Sequence, residues 1–175
     1  MERPDGTKAK LIESFGPMLR NTQMVKLFER EQEKNRVMAA RLQPGKEFID
    51  FEGEDISGKR VRLSDFFGRG QYVLMDVWAS WCGPCKAEMP NLVKLHNQYK
   101  DKGLTVLGVN ISDSEENFKG TLKLHDITYP QIHIPAHVKE NNGATLYNVK
   151  SIPHIMLIAP DGTILKRGLR GEEMM

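Results

Sequence analysis

The chain has 175 residues, of which 39% are hydrophobic and 27% are charged, and its formal net charge is +2. This composition predicts a soluble globular protein with a sizeable core. The charge is too close to neutral to favour nucleic acid or an anionic membrane surface as a partner. No apolar run is long enough to span a membrane, and the polar N-terminus lacks the apolar core of a signal peptide.

Residues 1–43 are predicted to form a helical N-terminal extension or linker. Apolar residues at helical spacing favour a first helix around residues 11–15 and a second over about residues 22–41. Two interpretations stay open: an amphipathic helix on the domain surface, or a connector or dimer contact. The Pro-Gly pair in "QPGK" then marks the boundary to a domain covering residues 44–175.

Residues 44–175 alternate strand-like and helical patterns. The predicted strands are "EFIDFEG" with its hairpin partner "SGKRVRLSDF", the apolar run "YVLMDVWA", "GLTVLGVNI", and the hairpin "PHIMLIAPDGTILKRG". Helices are predicted from Cys82 to about Tyr99 and over "SDSEENFKGTLKLHD", whereas residues 129–149 are expected to be a loop with a short helix. A strand–helix–strand unit followed by a hairpin indicates an α/β fold with a mixed central sheet flanked by helices.

Both cysteines of the chain, Cys82 and Cys85, lie in "WASWCGPCKAEMP". A disulfide between them closes a very small loop and contributes little stability, so the pair points to chemistry. Cys82 follows a buried strand at the start of a helix, where backbone N–H groups and the helix dipole favour a thiolate. Cys82 is therefore the predicted nucleophile toward a substrate disulfide and Cys85 the resolving thiol, with Gly83 and Pro84 keeping the turn tight.

A metal site is the main structural alternative for such a pair. One Cys-x-x-Cys supplies two ligands, whereas a closed zinc site needs four. None of the five histidines is paired with another cysteine at finger-like spacing. No metal and no organic cofactor are expected.

Asp76 is an acid within the apolar run, six residues before Cys82. If it is buried there, its pKa should rise, and it could then accept a proton from Cys85 during the second step of exchange. The alternative is a side chain hydrogen-bonded to a neighbouring loop.

The segment "VLMDVWASWCGPCKAEMP", the later "SIPH" and the terminal hairpin closely resemble thioredoxin-fold proteins. Residues 44–171 resemble the TlpA/ResA branch of thiol-disulfide oxidoreductases, a branch related to the AhpC/TSA proteins. The resemblance implies a thioredoxin fold and dithiol–disulfide exchange on protein substrates. It further implies that Cys82 is the exposed nucleophile and Cys85 the buried resolving thiol.

The same resemblance assigns residues around the cysteines. Trp81 matches the aromatic residue beside the active site, and Trp78 the one packed beneath it. Pro153 matches a cis-proline that lies against the disulfide, and Ile152 would offer backbone groups to an extended substrate peptide. The predicted substrate-binding residues are therefore Trp81, Gly83, Pro84, Ile152 and Pro153.

A second acid is also implied by the resemblance. ResA-like proteins place an active-site Glu where this chain has Glu88, one helical turn beyond Cys85, and thioredoxins place an Asp where it has Asp76. The alternative for Glu88 is an ordinary exposed helix residue. Which of the two acids serves Cys85 stays open. His154, directly after Pro153, is expected to face a strand surface.

The Gly-Pro dipeptide resembles that of reducing thioredoxins, which implies net reduction of substrate disulfides with electrons from an upstream dithiol protein. The resemblance also implies the periplasm or cell envelope of a bacterium, with a membrane-tethered context through an N-terminal region missing from this chain. Two other functions stay open. One is a thiol peroxidase that forms a sulfenic acid at Cys82, although residues 75–81 lack the proline of the peroxiredoxin pattern. The other is a non-catalytic module that docks partners through Ile152 and Pro153.

Overall fold

A computed structural model describes residues 22–68, 70–138 and 142–174, so the helix predicted around residues 11–15 lies outside the described residues. The chain divides into two compact units, residues 1–40 and 41–175. Helix α1, Gln23–Arg41, agrees with the helix predicted over residues 22–41. The assignment of residues 1–43 as an extension or linker stays a prediction.

A mixed sheet is the frame of the second unit. Within the described residues, seven strands form it, in the spatial order β2-β1-β5-β4-β3-β6-β7: β1 Glu52–Glu54, β2 Arg60–Arg62, β3 Tyr72–Trp78, β4 Leu104–Asp113, β5 Gln131–Pro135, β6 His154–Ile158 and β7 Ile164–Leu169. Strands β3, β4 and β5 run parallel, and the other neighbours pair antiparallel. The predicted mixed α/β sheet is therefore confirmed.

Helices cover the sheet, and apolar side chains fill both of its faces. The helices are α2 Gly83–Tyr99, α3 Glu115–Leu124 and α4 Gly143–Leu146, with 3-10 turns at Leu63–Phe66 and Gly171–Met174. Leu74 and Trp78 of β3 pack with residues of α2 and α3, whereas Val73, Met75 and Val77 pack on the opposite face. Burial on both faces explains the continuous apolar run of β3. No helix within the described ranges is both long and apolar enough to cross a membrane.

The prediction that residues 129–149 are irregular was wrong at its start. Strand β5 lies inside the sheet between β4 and β1. Its five residues follow Pro130 and end at Pro135, so the local pattern resembles a loop. Pairing with two neighbouring strands supplies the hydrogen bonds that make it a strand. The short helix expected later in this segment is confirmed as α4.

The strand predicted over "EFIDFEG" is confirmed only at its end, in β1. At residues 49 and 50, just upstream of β1, side chains take the place of a partner strand, whereas Glu47 forms an isolated bridge with Thr163. The Ile49 N–H donates to the Tyr147 hydroxyl at 2.9 Å, and that hydroxyl donates to the Ile49 carbonyl at 3.0 Å. The Asp50 carboxylate accepts from the backbone N–H and the hydroxyl of Ser64, both at 3.0 Å. These bonds hold residues 49 and 50 beside the sheet without adding them to a ladder.

Candidate active site

Cys82 and Cys85 form a disulfide at the junction of β3 and α2. Cys82 is the N-cap of α2, and its Sγ accepts the backbone N–H of Cys85 at 3.1 Å. Cys82 is 4% exposed and Cys85 fully buried. The expectation of an exposed Cys82 was therefore too strong for the disulfide form, although the order of exposure is the expected one. The N–H groups and the dipole of α2 favour negative charge on Cys82 once the disulfide is opened.

An open cleft of about 500 Å³ reaches the disulfide. Its lining comes from the start of α2, from β4 and from the segment before β6: Trp81, Cys82, Gly83, Pro84, Ile111, Val149, Lys150, Ser151 and Ile152. Trp81 is 64% exposed. The Ile152–Pro153 bond is cis, as the resemblance implies, and the Pro153 carbonyl accepts from Arg170 Nη2 at 2.9 Å. The structure thus brings four of the predicted substrate-binding residues, Trp81, Gly83, Pro84 and Ile152, together around Cys82. Pro153 directly follows Ile152 but is not among the residues that line this cleft. The role of all five stays a prediction.

Asp76 is fully buried on β3. Neither carboxylate oxygen has a hydrogen-bond partner among the described residues, so the alternative of a bond to a neighbouring loop was wrong. Burial, and then the charge of Glu88, raises the pKa of Asp76 to about 8, against an opposing effect of Arg170. A carboxyl group with this pKa can take up or release a proton near neutral pH.

Glu88 is half-buried on α2 and is held in place by hydrogen bonds. Its two carboxylate oxygens accept the Gly171 N–H at 3.2 and 3.3 Å, and Oε2 also accepts from Asn91 Nδ2 at 3.2 Å. The alternative of an ordinary exposed helix residue was therefore wrong. The charge of Glu88 acts on Asp76, which links both predicted acids to one electrostatic site.

With this geometry in place, similarity to known proteins identifies the family. Residues 44–167 match the AhpC/TSA family. The chain belongs to this family. The thiol-disulfide oxidoreductase ResA of Bacillus thuringiensis subsp. konkukian is 31% identical over 133 residues, which are 76% of this chain and 73% of that protein. The ResA protein of Bacillus subtilis is 29% identical over 134 residues, 75% of this chain and 72% of that protein.

Solved structures agree with the AhpC/TSA assignment. The thioredoxin domain of a thiol-disulfide oxidoreductase from Bacteroides vulgatus has a TM-score of 0.69 and 34% identity, over 76% of this chain and 93% of that chain. A thiol:disulfide interchange protein from Bacteroides sp. has a TM-score of 0.68 and 33% identity, over 77% and 86%. This AhpC/TSA-family chain is thus a ResA-like thiol-disulfide oxidoreductase with a thioredoxin-like fold, and it is a redox enzyme.

In this AhpC/TSA-family protein, a polar network that the sequence did not reveal lies beneath the loop that precedes Cys82. Asp113 is buried at the end of β4 and accepts the Ser80 N–H and hydroxyl, both at 2.7 Å. Asn110 Nδ2 donates to the same carboxylate at 2.7 Å. Ser80 lies between β3 and the nucleophile, so these bonds anchor the active-site loop. The available signal was Asn110 near the end of the predicted strand "GLTVLGVNI" and Asp113 two residues after it.

A second buried contact fixes Trp78. Its indole Nε1 donates to Gln131 Oε1 at 3.1 Å, and Gln131 Nε2 donates to the Tyr129 carbonyl at 3.2 Å. Gln131 lies over Gly108, where an added Cβ would overlap its side-chain amide. The glycine in β4 therefore makes room for the group that holds Trp78 in the core cluster that also contains Cys82 and Cys85.

His154 faces β7 and is not among the residues that line the cleft. It is half-buried, and its Nε2 accepts from Arg167 Nη2 at 3.1 Å. Burial, followed by the charges of Arg167 and Arg170, lowers the pKa of His154 to about 4, so the ring is neutral at pH 7. Within the described residues, no group of three or more His, Cys, Asp or Glu side chains is arranged to hold a metal ion.

Proposed function

We propose that this oxidoreductase reduces disulfide bonds in protein substrates through a dithiol–disulfide cycle of Cys82 and Cys85. The observation that carries the proposal is the placement of the pair. Cys82 lines the cleft at the N-terminus of α2, whereas Cys85 is fully buried one turn further along. This placement offers one sulfur to a substrate and keeps the other for the internal step.

The cycle balances electrons and protons. The Cys82 thiolate attacks one sulfur of the substrate disulfide, forms a mixed disulfide and releases the other sulfur as a thiolate. Cys85 then loses its proton and attacks Cys82 Sγ, which releases the second substrate thiolate and forms the Cys82–Cys85 disulfide. Two electrons have passed to the substrate. A dithiol protein upstream must return two electrons before the next turnover.

Asp76 is the proposed proton acceptor for Cys85. Its buried carboxyl has a pKa of about 8, which suits proton transfer near neutral pH. Glu88 is proposed to act through its charge on Asp76, because its oxygens are already bonded to Gly171 and Asn91. Under this proposal Asp76, and not Glu88, serves Cys85.

A substrate segment is proposed to bind in extended form along Ile152. Ile152 lies two residues before β6 and lines the same cleft as Cys82, so its backbone groups are suited to strand-like pairing with a peptide. The exposed indole of Trp81 and the ring of Pro84 would cover the apolar part of that segment. The proposed substrates are therefore proteins with a disulfide in an accessible, extended segment.

The bacterial periplasm or cell envelope is the proposed setting, with membrane tethering through a preceding segment. This part of the proposal rests on the resemblance to ResA-like proteins. Fractionation of bacteria that express the full-length protein tests it. Recovery with the periplasmic or membrane fraction supports the setting, and recovery with the cytosol contradicts it.

Trapping the mixed disulfide tests the exchange cycle. Reduced C85A should stall on a disulfide-bonded protein as a covalent adduct at Cys82, visible as a mass increase that excess dithiothreitol removes. C82A is the matched control and should form no adduct. Docking without an adduct in C85A would indicate a binding module. Continued consumption of hydrogen peroxide by C85A with an external thiol would indicate a peroxidase.

A further inference from the structure

One row of paired residues crosses four strands of the sheet and leads toward the active-site loop. Trp78 of β3 pairs with Asn110 of β4, Asn110 with His133 of β5, and His133 with Glu54 of β1. His133 is 4% exposed, and its ring stacks on Phe118 with 4.5 Å between centroids. The proposed cycle gives this buried histidine no role.

An unbroken chain of hydrogen bonds joins His133 to the residue two positions before Cys82. His133 Nδ1 lies 2.8 Å from Asn110 Oδ1, and Asn110 Nδ2 donates to Asp113 Oδ2 at 2.7 Å. Asp113 in turn accepts the N–H and the hydroxyl of Ser80. Each of these distances is within the range of a good hydrogen bond.

The Asp113 carboxylate determines where each proton of this hydrogen-bond chain lies. A carboxylate can only accept, so Asn110 must present its NH₂ group to Asp113 and its oxygen to His133. His133 must therefore carry a proton on Nδ1. Burial lowers the pKa of His133 against the opposing charges of Glu54, Asp113 and Glu115, with Lys119 adding to the decrease. The neutral ring is thus the Nδ1–H tautomer.

A bulge in β4 makes this chain geometrically feasible. Residues three apart on a regular strand point to opposite faces of a sheet. The register of β4 against β5 shifts between Ile111 and Asp113, and Ser112 has a φ of 61°. The extra residue lets the carboxylate of Asp113 meet the amide of Asn110.

We propose that His133 is a positioning residue for disulfide exchange at Cys82. Its Nδ1–H orients the Asn110 amide, which holds Asp113, and Asp113 holds both polar groups of Ser80. These contacts fix the loop that delivers Cys82 to the N-terminus of α2. His133 touches neither substrate nor sulfur, and acts only through this chain. Without the Nδ1 donor, the Asn110 amide keeps its bond to Asp113 but loses the contact that fixes its oxygen, and the Ser80 anchor loosens.

Two polar substitutions of His133 separate this role from simple packing. H133N keeps an N–H donor near the position of Nδ1, whereas H133Q places its amide near the position of Nε2. H133L removes all polar atoms. H96L is the matched control, because His96 is a half-buried histidine of α2 whose Nδ1 has no hydrogen-bond partner among the described residues. Each variant is compared with the wild type by its rate constant for reducing a disulfide-bonded protein and by its thermal stability.

H133Q and H133L are expected to lose about tenfold in rate, because a displaced nucleophile reacts slowly. H133N and H96L are expected to stay close to the wild-type rate. Wild-type rates in H133Q and H133L, even with lowered stability, would overturn the proposal, and so would an equal loss in H133N. If H133L does not fold, the two polar variants still decide. Nitrogen NMR of wild-type His133 gives an independent answer: a proton on Nδ1 is expected, and a proton on Nε2 contradicts the proposal.

Discussion

Asp76 and Glu88 are two acids on neighbouring elements, and the charge of Glu88 adds to burial in raising the pKa of Asp76 to about 8. Glu88 is fixed on α2 by the backbone N–H of Gly171. Asp76 on β3 has no hydrogen-bond partner among the described residues. The carboxyl group of Asp76 is therefore not held by a hydrogen bond within the described residues, whereas Glu88 is held in place and adds to the effect of burial on the pKa of Asp76.

Replacing Asp76 by Asn should change how stability depends on pH. Between the ordinary pKa of 3.8 and the folded value of about 8, the folded protein keeps a proton that the unfolded chain has released. The free energy of unfolding of the wild type should therefore fall as pH rises through this window. D76N lacks this loss and should be more stable than the wild type at pH 9 by more than about 1.4 kcal/mol, the equivalent of one pKa unit.

Urea unfolding of the oxidised wild type and D76N at pH 5 and pH 9 measures this difference. The advantage of D76N should be small at pH 5 and large at pH 9. An equal difference at both pH values would mean that Asp76 does not titrate in this window.

Removing the charge of Glu88 should shift the pH profile of exchange. E88Q keeps a carbonyl oxygen for Gly171 but loses the charge that helps raise the pKa of Asp76. If Asp76 accepts the proton of Cys85, the rate rises as Asp76 ionises, so the midpoint should move to lower pH in E88Q. D76N should remove this limb and lower the rate about a hundredfold. E116Q, an exposed acid on α3, is the control and should leave the midpoint unchanged.

Two tyrosines offer a matched comparison of buried hydroxyl groups. The Tyr147 hydroxyl bonds both the N–H and the carbonyl of Ile49. The buried Tyr129 hydroxyl has no hydrogen-bond partner among the described residues. Y147F should lower the free energy of unfolding by about 1–3 kcal/mol, because it leaves partly buried backbone groups of Ile49 without their partner, whereas Y129F should cost much less. Chemical denaturation measures both, and equal losses would contradict the assigned contacts.

The close approach of Gln131 to Gly108 predicts that alanine substitutions at two glycines, Gly108 and Gly120, affect stability differently. G108A should push the Gln131 amide away from the Trp78 indole and cost about 1–3 kcal/mol through the stranded N–H. G120A on α3 is the control, because nothing lies within 4 Å of its added Cβ, and it should be neutral or stabilising by up to about 1 kcal/mol. Thermal unfolding and tryptophan fluorescence report both. A stable G108A with unchanged fluorescence would show that Gln131 is not needed to hold Trp78.

Local pattern was sufficient to predict the elements that carry the cysteines. The run that forms β3 is apolar because both faces of the sheet are covered, and the proline at the start of α2 is suited to a helix N-terminus. Cys82 therefore lies where the sequence predicted, at the junction. The match to the AhpC/TSA family and the cis bond before Pro153 agree with what the resemblance to thioredoxin-fold proteins of the TlpA/ResA branch implies.

Other features depend on contacts between distant residues, which local pattern does not contain. Strand β5 exists through pairing with β4 and β1, although its prolines and brevity suggest a loop. The contact between Asp113 and Asn110 needs the bulge at Ser112, which adopts a positive φ although serine is not a residue type that favours one. The isolation of Asp76 likewise depends on which groups surround it in three dimensions.

The redox potential of the Cys82–Cys85 pair tests the central claim most directly. The oxidised protein is equilibrated in thiol buffers of graded potential, free thiols are alkylated, and the fraction of reduced pairs is counted by mass. A midpoint near or below the value of about −270 mV known for thioredoxin is expected for a reductant of protein disulfides. A midpoint of about −120 mV, which is typical of strongly oxidising thiol-disulfide proteins, would contradict net reduction. A pair that forms no disulfide would overturn the exchange cycle.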